Sequence, residues 1–247
     1  MSESPAKSSA SESSDLLRAA WRRLPSRILA LSVLFDLFFV AVFIALTFMQ
    51  LRNTILFRAF DLDLEANLPT GWASFQLFFL GLCFLVLGSR LIPIRSRSFA
   101  SRPLWVVLGV GFALLALDEQ GMIHERLPVW RLRVFNVGGF DPWIVMYATI
   151  AVVLAVLLGK YVILAARNWP KESILFVVGL GLASAGALAL EAFQQAVHLR
   201  GMLRMSEVGL EEGVEMLGAS IMVFAALRIL SWVMTSDLDT AAGVDSH

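Results

Sequence analysis

The stretch Leu114-Leu115-Ala116-Leu117-Asp118-Glu119-Gln120-Gly121-Met122-Ile123-His124-Glu125-Arg126-Leu127 places three carboxylates and an imidazole directly behind an apolar run that opens at Pro103. A helix over 103–122 rises about 1.5 Å per residue and so matches the roughly 30 Å hydrocarbon core of a bilayer. Ionisable groups at the end of such a segment are costly, and they mark a site or an interface. Working outward, the same pattern recurs: Glu191 to His198 ends one apolar run and Glu211 to Glu215 opens another.

Composition agrees with lipid as the solvent. Of 247 residues, 58% are hydrophobic and 16% charged, with mean hydropathy +0.74, whereas a soluble domain has about 45–50% apolar and about 25% charged residues. Twenty basic residues balance twenty acidic ones, so net charge offers no footprint for nucleic acid. The partner that composition implies is the lipid bilayer. Cys83 is the single cysteine, which excludes an intrachain disulfide and a cysteine metal cage.

These runs predict an all-α polytopic membrane protein with six transmembrane helices, over about 28–51, 72–91, 103–122, 143–165, 173–197 and 207–235. Residues 1–20 and 236–247, rich in small and polar side chains, read as disordered cytoplasmic tails. The basic group Arg18, Arg22, Arg23 and Arg27 precedes an apolar run too long for a cleaved signal, which predicts a retained first helix. Small residues Gly179, Gly181, Ala183, Ala185, Gly186, Ala187 and Ala189 permit close approach in lipid and mark 173–197 as a central helix. With an even number of spans, thirteen Lys and Arg fall on the side of the termini and seven on the other. The positive-inside rule then gives both termini in the cytoplasm.

In that topology the ends of the third and fifth helices, the start of the sixth and the first loop all face away from the cytoplasm. They carry Asp118, Glu119, His124, Glu125, Glu191, His198, Glu211, Glu212, Glu215 and Glu65. Asp118 and Glu125 are seven apart, Glu191 and His198 likewise, and Glu211 and Glu215 four apart, so each pair shares a helix face. His124 stands about 100° from Glu125, so it and Asp118 both point inward only if the helix frays or bends, and Gly121 is the candidate hinge that permits this.

Inward Glu and His on facing helices are the donors of carboxylate-bridged metal centres in bundles. The expected metal ligands are therefore His124, His198, Glu191, Glu211, Glu215 and Asp118, with Zn, Fe or Mn as the suited ions. Glu119 or Glu125 would act as catalytic base on a metal-activated water in a hydrolase-like reaction. A softer set, Met122, His124, His198, Met202 and Met205, suits Cu(I). Bis-histidine haem ligation by His124 and His198 is disfavoured by the surrounding acids. Against the metal reading, Glu211 and Glu212 at a helix start and His198 near a helix end also suit the helix dipole. A transporter, ion or proton carrier, or accessory subunit is the competing class; only Asp36, Gln76, Ser184 and Ser220 would extend its polar path inward. Asp36 itself reads first as structural, reaching the interface or an arginine, and Trp72 as an interfacial belt residue.

Three motifs carry a resemblance: Leu62-Asp63-Leu64-Glu65-Ala66-Asn67-Leu68-Pro69-Thr70-Gly71-Trp72, Leu117-Asp118-Glu119 with His124-Glu125, and Glu211-Glu212-Gly213-Val214-Glu215-Met216-Leu217-Gly218. In these the chain resembles a set of uncharacterised bacterial multipass inner-membrane proteins, which implies architecture and a bacterial inner membrane but no chemistry. Membrane hydrolases of the ceramidase and adiponectin-receptor type invite comparison through their three histidines and acid around zinc. This chain departs from them, with no His-x-x-x-His pair and two histidines before the C-terminal one.

Overall fold

The computed structural model describes residues 5–51, 54–64, 67–89, 102–123, 142–190, 197 and 199–244. Helices account for almost all of them, and no strand occurs among the described residues. In chain order they are α1 (Pro5–Phe48), α2 (Ile55–Phe60), α3 (Leu68–Gly88), α4 (Arg102–Gly121), α5 (Pro142–Asn168), α6 (Pro170–Ser184) and α7 (Met202–Val244). α6 passes directly into a π-helical segment, Ala185–Leu190.

Among the described residues, five helical stretches are long and apolar enough to cross a membrane: Asp15–Phe48, Leu68–Gly88, Arg102–Gly121, Val145–Asn168 and Met202–Ser236. α6 has 15 residues before its π segment. Expected and observed helices differ at the ends. α1 begins at Pro5 and α7 runs on to Val244, so helix extends into both stretches whose composition suggests disordered tails. Ala, Leu, Lys, Arg and Glu there are good helix formers, and no proline follows Pro5 until Pro25.

Local chemistry sets the boundaries. α1 stops in a paired cap: Leu51 N–H donates to Leu46 O (3.1 Å) and Gln50 N–H to Thr47 O (3.1 Å), while Gln50 takes the left-handed φ of 56° that this cap requires. The short α2 lies where the sequence suggests only a turn-rich loop. Thr54 Oγ1 caps it by accepting from Phe57 N–H (3.1 Å), and buried Phe57 fastens it to the core. α3 starts at Leu68 because Asn67 Oδ1 accepts from Thr70 N–H (3.1 Å) and Pro69 suits the first turn.

The long helices pack in alternating directions. α3 lies antiparallel to α1, with Gln76 beside Asp36, and to α4, where a Cβ on Gly81 would stand 2.8 Å from Gly109 O. α6 lies antiparallel to α7: a Cβ on Gly218 would meet Gly179 O at 2.5 Å, so backbones touch through this glycine pair. The central helix is α7, with 72% of its apolar window buried, against 6% for Val145–Asn168 in α5. Of the glycines expected to make this the central helix, Gly179 seats α6 on α7 and Gly186 seats the π segment there, while Gly181 meets no neighbour among the described residues.

One core cluster joins α3, α4, α6 and α7 around Leu80, Phe84, Trp105, Met222 and Leu230. Another, around Phe39, Phe43, Phe57, Leu62 and Met216, fastens α1 and α2 to α7. Pro25 lies inside α1 and, lacking an N–H, leaves the Trp21 carbonyl without its helical donor. Ser231 Oγ on α7 fills that place at 2.8 Å.

Candidate functional site

The antiparallel packing gathers one set of helix ends: those of α1, α4 and the π segment with the starts of α3, α5 and α7. Asp118 lies in the last full turn of α4 and is buried. Its Oδ2 accepts from the Tyr147 hydroxyl on α5 at 2.5 Å. Two residues earlier, Ser74 Oγ on α3 donates to Ala116 O at 2.5 Å. Glu119, beside Asp118, is half-buried. The helix stops at Gly121, and Met122 takes a φ of 51°. The break thus falls next to the candidate hinge, with a non-glycine residue in the left-handed conformation at a cost of about 1 kcal/mol.

Glu207, Glu211 and Glu215 recur every four residues along the first turns of α7. Arg204 binds Glu207 through a short contact, reaches Asp63 of the α2–α3 loop at 2.8 Å, and stands 4.0 Å from Glu211. Glu207 Oε1 is buried with no hydrogen-bond partner among the described residues. Glu215 faces α6. A Cβ on Gly186 would overlap its Cγ at 2.5 Å and stand 2.9 Å from Glu211 O. Only glycine at 186 lets this carboxylate side chain lie against the π segment.

Residues of the motif hydrogen-bond to one another around Asp63. Asp61 Oδ1 accepts from Asp63 N–H (3.1 Å), and Asn67 Nδ2 donates to Asp61 O (2.5 Å) and Leu64 O (2.6 Å). Asn67, Pro69 and Thr70 therefore build a turn and a cap, and the turn holds Asp63 toward Arg204. His124, Glu125, Glu191, His198 and Glu65 lie outside the described residues. Among the described residues, no group of three or more His, Cys, Asp and Glu side chains is placed to hold a metal ion.

A second polar unit sits deep in the bundle. Asp36 on α1 is 3% exposed, Gln76 on α3 2% and Ser220 on α7 1%. Asp36 Oδ1 accepts from Trp72 Nε1 (2.7 Å) and Gln76 Nε2 (3.0 Å); Oδ2 accepts from Ser220 Oγ (2.7 Å). Gln76 Nε2 also donates to Ser220 Oγ at 2.9 Å. Gln76 Oε1 is buried without a partner among the described residues. At about 1.5 Å per residue, Asp36 stands about 12 Å from Ile28 and about 18 Å from Phe48 along α1.

Asp36 therefore reaches neither an arginine nor a helix end, contrary to the expectation from its position. Trp72 turns its indole N–H inward to this carboxylate while its ring stacks on Phe35 at 4.8 Å. Of the four residues expected to form an inner polar path, three meet here; exposed Ser184 does not. The network and the acidic end occupy different faces of α7, because Ser220 projects about 140° around the helix from Glu215.

Sequence reasoning missed Tyr147, Arg204 and Trp72 as partners. Tyr147 is one of two tyrosines in the chain, and a phenol at the start of an apolar helix asks for an acceptor. Trp72 and Gln76 are four apart on one face of α3, which is the local trace of a shared acceptor.

Over residues 28–230 the chain matches the family model described as "Domain of unknown function (DUF8692)". No curated protein matches it, and no solved structure does. The chain belongs to the DUF8692 family, and that domain takes in every helix described above except the outer parts of α1 and α7.

Proposed function

We propose that this member of the DUF8692 family is a six-span protein of a bacterial inner membrane, with both termini cytoplasmic and a cation-binding site at its periplasmic end. Counting α6 with its π segment as the sixth span gives an even number and agrees with the alternating helix directions. Asp118, Glu191, Glu211 and Glu215 with His124 and His198 form the donor set, which suits Zn, Fe or Mn. Glu119 or Glu125 stands as base for a hydrolytic reaction.

The observation that carries this reading is Glu215 lying against Gly186 at the π segment, since π segments concentrate at functional sites. The segment leads directly into Glu191. Tyr147 on α5 supports the reading by fixing the Asp118 carboxylate of α4, as outer hydrogen bonds fix metal ligands elsewhere.

Metal analysis of the detergent-purified full chain tests it. The expected result is one bound transition-metal ion in the wild type, lost in the His124→Ala, His198→Ala double variant and reduced in Glu215→Gln. Equal and negligible metal in all three removes the metal site.

A carrier is the second reading, favoured by the mid-span Asp36 and the unpartnered Gln76 Oε1 beside it. Proteoliposomes with an internal pH dye test it. Proton or cation flux present in the wild type and absent in Asp36→Asn supports a carrier; no flux in the wild type removes it.

A further inference from the structure

The N-terminal part of α1 leaves three arginines with no work inside the bundle. Arg22, Arg23 and Arg27 are exposed, and none has an acidic partner among the described residues. Neighbouring cations differ: Arg18 pairs with Asp15 at 3.1 Å and Arg228 with Glu172 at 2.8 Å.

The positions of Arg23 and Arg27 along α1 supply the second observation, with exposed Arg22 beside Arg23 about 100° around the helix. Ala20, Arg23, Arg27, Leu31, Leu34 and Phe38 follow one another at spacings of three and four, so they form one face of the helix. Leu31, Leu34 and Phe38 on that face are 55%, 63% and 49% exposed, and in a spanning helix such a face meets lipid chains. Arg27 lies about 6 Å along the axis from Leu31, within the polar layer of about 5–8 Å outside the hydrocarbon core, and Arg23, at about 12 Å, stands at that layer's outer edge. The backbone presenting them is fixed, because the Trp21 carbonyl is bound by Ser231 and Pro25 is buried. The lipid-facing stripe thus runs straight into unpaired guanidinium groups at headgroup depth.

We propose that Arg22, Arg23 and Arg27 form a binding site for the phosphates of anionic phospholipids in the leaflet where α1 enters the membrane. Guanidinium groups bind phosphate oxygens in pairs, and basic residues beside a membrane helix are drawn to an anionic leaflet. The site does not depend on the reading of the acidic end.

The test is the melting temperature of the full chain in detergent micelles supplemented with phosphatidylglycerol or phosphatidylcholine at equal mole fraction. In the wild type phosphatidylglycerol raises the melting temperature more than phosphatidylcholine does. That difference disappears in the Arg22→Gln, Arg23→Gln, Arg27→Gln variant, persists in Arg200→Gln at the opposite end, and collapses in the wild type at 1 M NaCl, where the Debye length is about 3 Å. A wild type without preference overturns the proposal, as does a preference that survives the triple substitution or the salt.

Discussion

The two ends of the bundle are built from opposite charges and by opposite means. At one end Asp63, Glu207 and Glu211 gather about Arg204, while a phenol fixes Asp118, a capped turn holds Asp63, and a glycine makes room for Glu215. At the other end Arg22, Arg23 and Arg27 stand exposed, and the polar ties among the described residues include Ser231 to the Trp21 carbonyl and Arg228 to Glu172. Carboxylates fixed in place are arranged for a ligand that enters between helices, whereas free guanidinium groups are arranged for a surface. Between them, Asp36 ties α1, α3 and α7 together and faces neither end.

The strongest way to break this contrast is to cut the middle. Asp36→Ala strands the Trp72 indole N–H and the Gln76 amide in a buried space, and should cost about 2–4 kcal/mol of stability. Asp36→Asn keeps an acceptor for them and should cost about 1 kcal/mol. Thermal unfolding of both variants in the same detergent gives the ordering; equal losses would mean that the carboxylate's hydrogen bonds do not hold the helices.

At the acidic end, Gly186→Val should cost about 1–3 kcal/mol by overpacking and displace Glu215 from the π segment. Metal retention should fall with it. A variant as stable as the wild type would show that Glu215 has room elsewhere. At the basic end, Ser231→Ala removes the one donor to the Trp21 carbonyl and should cost about 1 kcal/mol, read by the same melting experiment. Smallest is Glu172→Gln, which removes the partner of a 42% exposed Arg228 side chain and should change stability by at most about 0.5 kcal/mol after solvent screening. Were the two basic-end substitutions to match Gly186→Val, the ends would be fastened alike and the contrast would fail.

Helical periods and run lengths were enough to locate the five long apolar helices, because each depends on neighbours within a turn or two, but not the short α2. Caps were partly legible: Asn67 before Leu68-Pro69 is a start signal, while the left-handed Gln50 and Met122 carry no glycine to announce them. Long-range partnership was not legible. Asp36 bonds to residues 36, 40 and 184 positions away, and nothing in the apolar run around it specifies which helix will face it. The same holds for the role of α6: its glycines announce close packing but not the partner, and the partner, α7, is the buried helix. Asp118, Glu211 and Glu215 stand out in the sequence because each sits at an end of an apolar run, but their partners do not: Tyr147 holds Asp118 from another helix, and Arg204 joins the acids of its own helix to Asp63 of a distant loop.

The opposition of the two ends across a membrane is the central claim, and site-directed labelling tests it most directly. In a Cys83→Ser background, Arg200→Cys and Lys171→Cys are each probed in spheroplasts with a membrane-impermeant maleimide. The account predicts that Arg200→Cys reacts in intact spheroplasts and that Lys171→Cys reacts only after permeabilisation. Reaction of Lys171→Cys in intact spheroplasts, with Arg200→Cys protected, would contradict it.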